Sequence, residues 1–176
     1  MCIRDRAGLE LITNGKIFFK GLPIHHLKED ELANYRSKNV GIIFQSFNLL
    51  PSMTALENVN LPNQISGALI DDKKGIELLK SVGLKNRLNH YPHQLSGGEQ
   101  QRVAIARSLI SSPEIIIADE PTGNLDKRNS EEVMKLIFKL QSDFASTLIL
   151  VTHDETIAKQ CNKIIKLDNG LIVKDE

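Results

Sequence analysis

In the stretch Leu95 to Arg102, LSGGEQQR, Ser96 stands three places before Glu99. That is capping-box spacing, in which each side chain accepts a hydrogen bond from the other residue's backbone N–H at a helix start. Gly97 and Gly98 follow the serine, and two adjacent glycines let a ligand approach the backbone closely. A helix N-terminus presents unpaired N–H groups and the positive end of the helix dipole, a combination that binds phosphate. An ordinary capped helix with no ligand is the plainer reading of the capping box alone. A second stretch, Ile115 to Glu120, IIIADE, is an apolar run of strand length ending in two acids. Carboxylates at a strand end can bind a cation or take a proton; a solvated strand end is the alternative. Gln45 closes the apolar run Val40 to Phe44, and His153 follows the run Thr147 to Val151. A glutamine amide offers an oxygen to a metal and an NH₂ to an acceptor, and an imidazole N–H donates to a phosphate oxygen. Each also fits as a polar residue that merely finishes its strand.

These residues need elements to place them. The runs Val40 to Phe44, Ile115 to Ala118 and Thr147 to Val151 are apolar throughout rather than alternating. Strands of that kind are buried on both faces, as in a parallel sheet covered by helices. The pattern predicts helices over Lys28 to Ser37, Thr54 to Leu61 (between Pro51 and Pro62), Asp71 to Val82, Gly97 to Ile110, Ser130 to Ser142 and Glu155 to Gln160. Gly83 sits where a helix-ending glycine belongs. Lys16 to Lys20 and Lys163 to Asp168 read as strands, and Asn169-Gly170 as a hairpin turn into Leu171 to Lys174. Strands alternating with helices give an α/β fold, with ligands at the carboxyl ends of the strands.

Composition narrows the class. Across 176 residues, 22 basic and 22 acidic side chains cancel, so no nucleic-acid partner is expected. Cys2 and Cys161 form no disulfide framework or metal pattern and suit a reducing compartment. No apolar run approaches the roughly 20 residues that span a bilayer. MCIRDR at the start leads into no apolar stretch, so no signal peptide is expected. Any membrane role would come through docking to another chain. His25, His26, His90 and His93 read as surface or loop residues.

The full string LSGGEQQR resembles the signature of the ABC ATPases, and the order of the other stretches is similar to that family from about Ala7 to the C-terminal hairpin. The resemblance implies a P-loop-NTPase-like α/β fold with a mostly parallel core sheet flanked by helices. It implies a partial ATP-binding domain over residues 7–176 with a helical signature subdomain over about 46–110, while residues 1–6 are unlike the family. By resemblance, Ser96, Gly97 and Gly98 touch the γ-phosphate of ATP held by an opposite subunit. Asp119 holds Mg²⁺ through water and Glu120 orients and deprotonates the attacking water. Asp126 of PTGNLD lies at the dimer interface, and His153 is the switch histidine on the γ-phosphate. Gln45 reaches Mg²⁺ and the water, and its loop contacts a membrane partner. Phe47 to Pro62 would then be the docking surface, with Leu49, Leu50 and Met53 as exposed apolar contacts; the alternative packs them inside the helical subdomain. FQSFNLLPSMTALENV and ADEPTGNLD look most like the lipoprotein-release and macrolide-export branch, the LolD, MacB and YbbA types.

One family feature is missing. No G-x-x-x-x-G-K-[ST] P-loop (Walker A) string occurs; Gly15-Lys16 runs into Ile17, and Gly8 is at the wrong spacing. Ala7-Gly8-Leu9-Glu10 resembles the end of the helix that follows the P-loop, and three charges in MCIRDR do not suit that buried helix. A front-truncated chain, lacking N-terminal strands and P-loop, is the expectation; a natural degenerate subunit is the rival. Either way the β- and γ-phosphates lose their cradle, so this chain alone is expected to turn over no ATP. The function implied is the ATP-binding and ATP-hydrolysing subunit of an ABC transporter, of exporter or lipoprotein-release type. Its expected partners are transmembrane permease subunits and a second ATP-binding subunit, and its expected place is cytoplasmic, peripheral on the inner face of the cell membrane. The alternatives are a soluble non-transport ABC ATPase and a non-catalytic partner subunit.

Overall fold

The computed structural model describes residues 7–9, 14–68 and 72–175. The reading of residues 1–6 falls outside them. A short antiparallel pair, β1 (Phe18–Phe19) and β2 (Leu22–Pro23), leads through a 3-10 turn (Ile24–His26) into α1 (Glu29–Asn39) and then β3 (Val40–Phe44). Three helices follow: α2 (Ala55–Ile65), α3 (Asp72–Ser81) and, after a 3-10 turn at Pro92–Gln94, α4 (Gly97–Leu109). The chain continues through β4 (Ile115–Asp119), α5 (Lys127–Asp143), β5 (Thr147–Val151), a one-turn α6 (Glu155–Ala158), and the hairpin β6 (Ile165–Asp168) and β7 (Leu171–Asp175).

β3, β4 and β5 form a parallel sheet in that order. Their register is flush: Phe44 pairs with Asp119, and Asp119 pairs with Val151. Alternate residues therefore serve opposite faces. Ile43, Ile116 and Ala118 join the larger core with α2 to α5, while Val40 and Ile117 join a smaller one with Ile24 and Tyr35. The larger core closes on α4, whose Val103, Ala104, Ile105, Ala106 and Leu109 are all buried. At one point the contact is backbone to backbone. A Cβ on Gly41 would lie 2.2 Å from the Ser108 carbonyl oxygen, so only glycine lets α4 sit this close to β3.

Local chemistry explains the helix boundaries. Thr54 accepts from the Glu57 N–H while Glu57 accepts from the Thr54 N–H, closing the capping box that starts α2. That helix does not stop at Pro62 as expected but runs through it to Ile65. A proline gives up its own N–H bond and crowds the carbonyl four residues back, but the turn beyond it still closes: the Ser66 N–H donates to the Pro62 carbonyl. α5 begins at Lys127 rather than near Ser130, because the Asp126 carboxylate caps it through the Asn129 N–H at 3.0 Å. α1 runs on to Asn39, and α6 ends at Ala158, two residues short of the expectation. The expected strands Lys16 to Lys20 and Lys163 to Asp168 shrink to the paired residues Phe18–Phe19 and Ile165–Asp168. Asn169 and Gly170 both have positive φ, as the tight hairpin turn requires. Between β3 and β4 the described residues form only helices and loops.

Candidate functional site

The flush register brings the ends of β3, β4 and β5 together, so Gln45, Glu120 and Thr152 each begin the loop beyond one strand. Glu120 turns sharply there, with φ of 45°, a conformation unfavourable for a side-chain-bearing residue. Its N–H donates to the Val151 carbonyl at 3.0 Å, which holds the turn against the neighbouring strand. The turn aims the Glu120 carboxylate at His153. Oε1 accepts from the His153 N–H at 3.0 Å and lies 2.8 Å from the ring Nδ1. With a carboxylate as partner, Nδ1 carries the proton. The Glu120 bond, followed by its charge, holds the His153 pKa above the ordinary histidine value. The side chain of His153 is 83% exposed, against 24% for Glu120, so the imidazole edge carrying Nε2 faces solvent.

Asp119 is half-buried beside this pair. Among the described residues no hydrogen bond or ion pair engages its carboxylate. Gln45 turns toward the loop after Glu120: its Nε2 donates to Asn124 Oδ1 at 3.2 Å, and Asn124 Nδ2 donates to the Gln45 carbonyl at 3.0 Å. A Cβ on Gly123 would meet Gln45 Nε2 at 2.5 Å, so the glycine makes room for the glutamine. The oxygens of Asp119 and Gln45 are the donors here that could hold a hard cation, and no group of three His, Cys, Asp or Glu side chains gathers as a metal cluster among the described residues.

Ser96 and the two glycines form a separate group. Ser96 caps α4 by accepting from the Glu99 N–H at 3.3 Å, and Glu99 returns a bond to the Ser96 N–H at 2.9 Å. The backbone bond from Ser96, and then the Arg87 guanidinium, hold the Glu99 carboxyl below its usual pKa. Gly98 packs on the start of α5: a Cβ there would lie 2.8 Å from Asn129 Oδ1. Asn129 in turn donates to the Asp126 carboxylate at 2.5 Å. The structure therefore places Ser96, Gly97, Gly98 and Asp126 together, and Asp119, Glu120, His153 and Gln45 together. Among the described residues no hydrogen bond joins the first group to Glu120 or His153.

Two residues that link the groups went unread in the sequence. Gln101, fully buried, donates from Nε2 to the Pro121 carbonyl at 2.6 Å, tying α4 to the turn after Glu120. Arg107 donates to the Phe47 and Asn48 carbonyls beyond Gln45. Gln101 lies inside LSGGEQQR, so the string pointed near it; no local pattern marks Arg107. Of the apolar trio expected at the surface, Leu49 packs against the core and Met53 is half-buried, leaving Leu50 exposed. The cause is Asn58, whose carboxamide binds the Leu50 N–H and the Leu50, Met53 and Thr54 carbonyls and draws the loop inward.

The chain is similar to known proteins along most of its length. A family model described as "ABC transporter" matches residues 6–123. The uncharacterized ABC transporter ATP-binding protein YbbA of Escherichia coli (strain K12) is 43% identical over 171 residues, covering 96% of this chain and 75% of that protein. The lipoprotein-releasing system ATP-binding protein LolD of Treponema denticola is 48% identical over 166 residues, covering 93% of this chain and 74% of that one. The macrolide export ATP-binding/permease protein MacB of Bdellovibrio bacteriovorus is 46% identical over 168 residues, covering 96% of this chain but 26% of its own length. Among solved structures, the ATP-binding cassette MJ0796, described as a dimeric post-hydrolysis state bound to ADP and Pi, superposes with a TM-score of 0.88. It is 40% identical, and the match covers 98% of this chain and 77% of that one. On sequence and on fold alike, the chain belongs to the ABC transporter ATP-binding family, whose members are ATPases.

Proposed function

We propose that this chain is the ATP-binding subunit of a transporter of the lipoprotein-release or macrolide-export kind. In this reading it works through transmembrane permease subunits and pairs with a second ATP-binding subunit. The observation that carries the reading is the Glu120–His153 pair at the carboxyl end of the sheet, beside the unengaged Asp119 carboxylate. Glu120 Oε1 is held by the two His153 donors, which leaves Oε2 to accept the proton of an attacking water. His153 Nδ1–H faces Glu120, so Nε2 donates to a phosphate oxygen only in the doubly protonated ring, the form that the raised pKa favours. Asp119 and Gln45 would hold Mg²⁺, a hard ion that takes one or two carboxylates and completes its shell with water and phosphate oxygens. When bound, the ion offsets the negative charge of the phosphates.

Ser96 supports a role toward the other subunit's ATP. Its Oγ accepts from Glu99 and keeps its own proton to donate. The Glu99 N–H is taken by Ser96 Oγ, and the Gly97 and Gly98 N–H groups, which have no partner inside the helix, would be offered to the same phosphate. Asp126 is committed to Asn129 and the start of α5; its role at a dimer interface would be to fix that helix end. Among the described residues no helix is long and apolar enough to cross a membrane, and a place on the inner face of the cell membrane would come from docking to a permease. The relatives' names, which pair ATP binding with lipoprotein release and with a macrolide-export permease, support this assignment.

These 176 residues contain no P-loop string, so by themselves they offer Ser96 and the glycines to a partner but no cradle for the β- and γ-phosphates. The test mixes the chain with an intact cassette subunit whose own signature serine is replaced by arginine. No turnover by either alone, and turnover by the mixture that Ser96→Arg in this chain abolishes, is the expected result. ATP hydrolysis by this chain alone would overturn the missing cradle, and a silent mixture despite demonstrated pairing would overturn the role of Ser96 toward the other subunit's ATP.

A further inference from the structure

The loop after β3 is held in an unfavourable shape. Phe47 and Asn48 are consecutive residues with φ of 59° and 49°. Asparagine tolerates that region, but a bulky aromatic residue rarely occupies it. One side chain reaches both peptide groups. Arg107, near the far end of α4, donates from Nη2 to the Phe47 carbonyl at 2.8 Å and from Nη1 to the Asn48 carbonyl at 2.5 Å. Among the described residues no carboxylate pairs with this guanidinium, and burial lowers its pKa. A half-buried cation whose recorded bonds go to two backbone oxygens is committed to holding that backbone. A flat fork of donors can meet two carbonyls together, whereas a lysine ammonium is a single point.

The conformation so fixed has a second end. A Cβ on Gly97 would lie 3.9 Å from Phe47 Cζ, so the phenyl ring sits near the start of α4. Ten residues at 1.5 Å each separate Gly97 from Arg107, roughly 15 Å of helix. The helix thus lies near one loop residue at both of its ends: its Arg107 end holds the Phe47 backbone, and its Gly97 end lies close to the Phe47 ring.

We propose that Arg107 is a positioning residue whose forked guanidinium fixes Phe47 and Asn48 and seats the Phe47 ring against Gly97, so that the loop after Gln45 and the phosphate-facing end of α4 move as one body. The word phosphate-facing rests on the functional reading above; the clamp itself does not. Any force on the exposed Leu50 side of the loop then reaches Ser96 and the glycines without passing through the sheet.

The test needs no ATP turnover, so its failure and that of the transporter reading are separable. Amide exchange and amide chemical shifts are followed by NMR in the whole 176-residue chain and in Arg107→Lys, Arg107→Met, Phe47→Leu and the Arg107→Lys/Phe47→Leu double variant. Both Arg107 substitutions should speed exchange of the Phe47 and Asn48 N–H groups by about tenfold or more, while the Val103 to Leu109 amides stay within about twofold, the mark of a local opening. Arg107→Lys should shift the Gly97 resonance in the direction that Phe47→Leu does, and the double variant should add little to Phe47→Leu alone. Normal exchange in Arg107→Lys would refute the fork. Equal acceleration along α4 would make Arg107 a general fold-stabilising residue instead, and an additive Gly97 shift would remove the link through Phe47. Unprotected Phe47 and Asn48 amides in the unsubstituted chain would equally overturn the clamp.

Discussion

Gly41→Ala tests how tightly the site's framework is packed. The added Cβ would lie 2.2 Å from the Ser108 carbonyl oxygen, 3.0 Å from Pro113 Cγ and 3.1 Å from the Ser108 carbonyl carbon. An ordinary carbon–oxygen contact is about 3.3 Å, so β3 and α4 must part by about 1 Å. No rotamer change relieves the contact, because the obstacle is helix backbone. Nor can α4 yield cheaply, since Ile105, Leu109 and Ile110 around it are each 1% exposed. Overpacking of a filled core costs about 1–3 kcal/mol, and a backbone obstacle places this case near about 3 kcal/mol. For a chain of this size about 2–4 °C of Tm is lost per kcal/mol, which gives a fall of roughly 6–12 °C in a thermal melt followed by circular dichroism. Gly97→Ala is the control. Its Cβ would meet Leu125 at 3.6 Å and Phe47 at 3.9 Å, ordinary contacts, and alanine is the better helix former, so Tm should hold or rise slightly. A Gly41→Ala melt within about 2 °C of the unsubstituted chain would refute the claim that α4 rests on β3 backbone to backbone.

His153 should titrate above 6.5, chiefly because it bonds to Glu120. The pair's contribution is complete below 6.5 and is lost as pH rises through the raised value. Proton NMR of the ring should show Glu120→Gln bringing the pKa back toward 6.5; a value at or below 6.5 in the unsubstituted chain would contradict the geometry. Asn58→Ala removes four bonds that tie Leu50, Met53 and Thr54 to α2. The Asn58 NH₂ has two hydrogens for its three carbonyl partners, so the set is worth about three full bonds; at about 1 kcal/mol each, urea unfolding should register a loss of about 3 kcal/mol, and a loss below about 1 kcal/mol would mean that the loop is held by something else.

The strands were readable because their signal is local. Val40 to Phe44 and Thr147 to Val151 appear in the structure with the bounds that their apolar runs suggested. The caps of α2 and α4 follow from Thr54–Glu57 and Ser96–Glu99, each a contact made within one turn. The start of α5 was missed because an aspartate cap and a run of polar residues after it give no apolar period to count. The inward turn of Leu49 and Met53 follows the alternative reading of that stretch, and the sequence could not decide it because Asn58 holds four groups of one loop at once, which nothing in a lone asparagine announces.

Capping, periodicity and turn formation depend on neighbours a few places apart, so the amino-acid order already marked which residues could do chemistry and which elements carry them. It also carried the family, through LSGGEQQR and the stretches that follow. Tertiary structure alone decided which of those residues meet. Glu120 and His153, 33 residues apart, share a bond because the parallel register ends β4 and β5 level, Asp119 opposite Val151. Gly41 touches Ser108, and Arg107 reaches Phe47, because α4 packs flat on the sheet. Such approaches are set by how strands align and how closely a helix can lie. Register and interhelical distance leave no mark on any single segment of the chain.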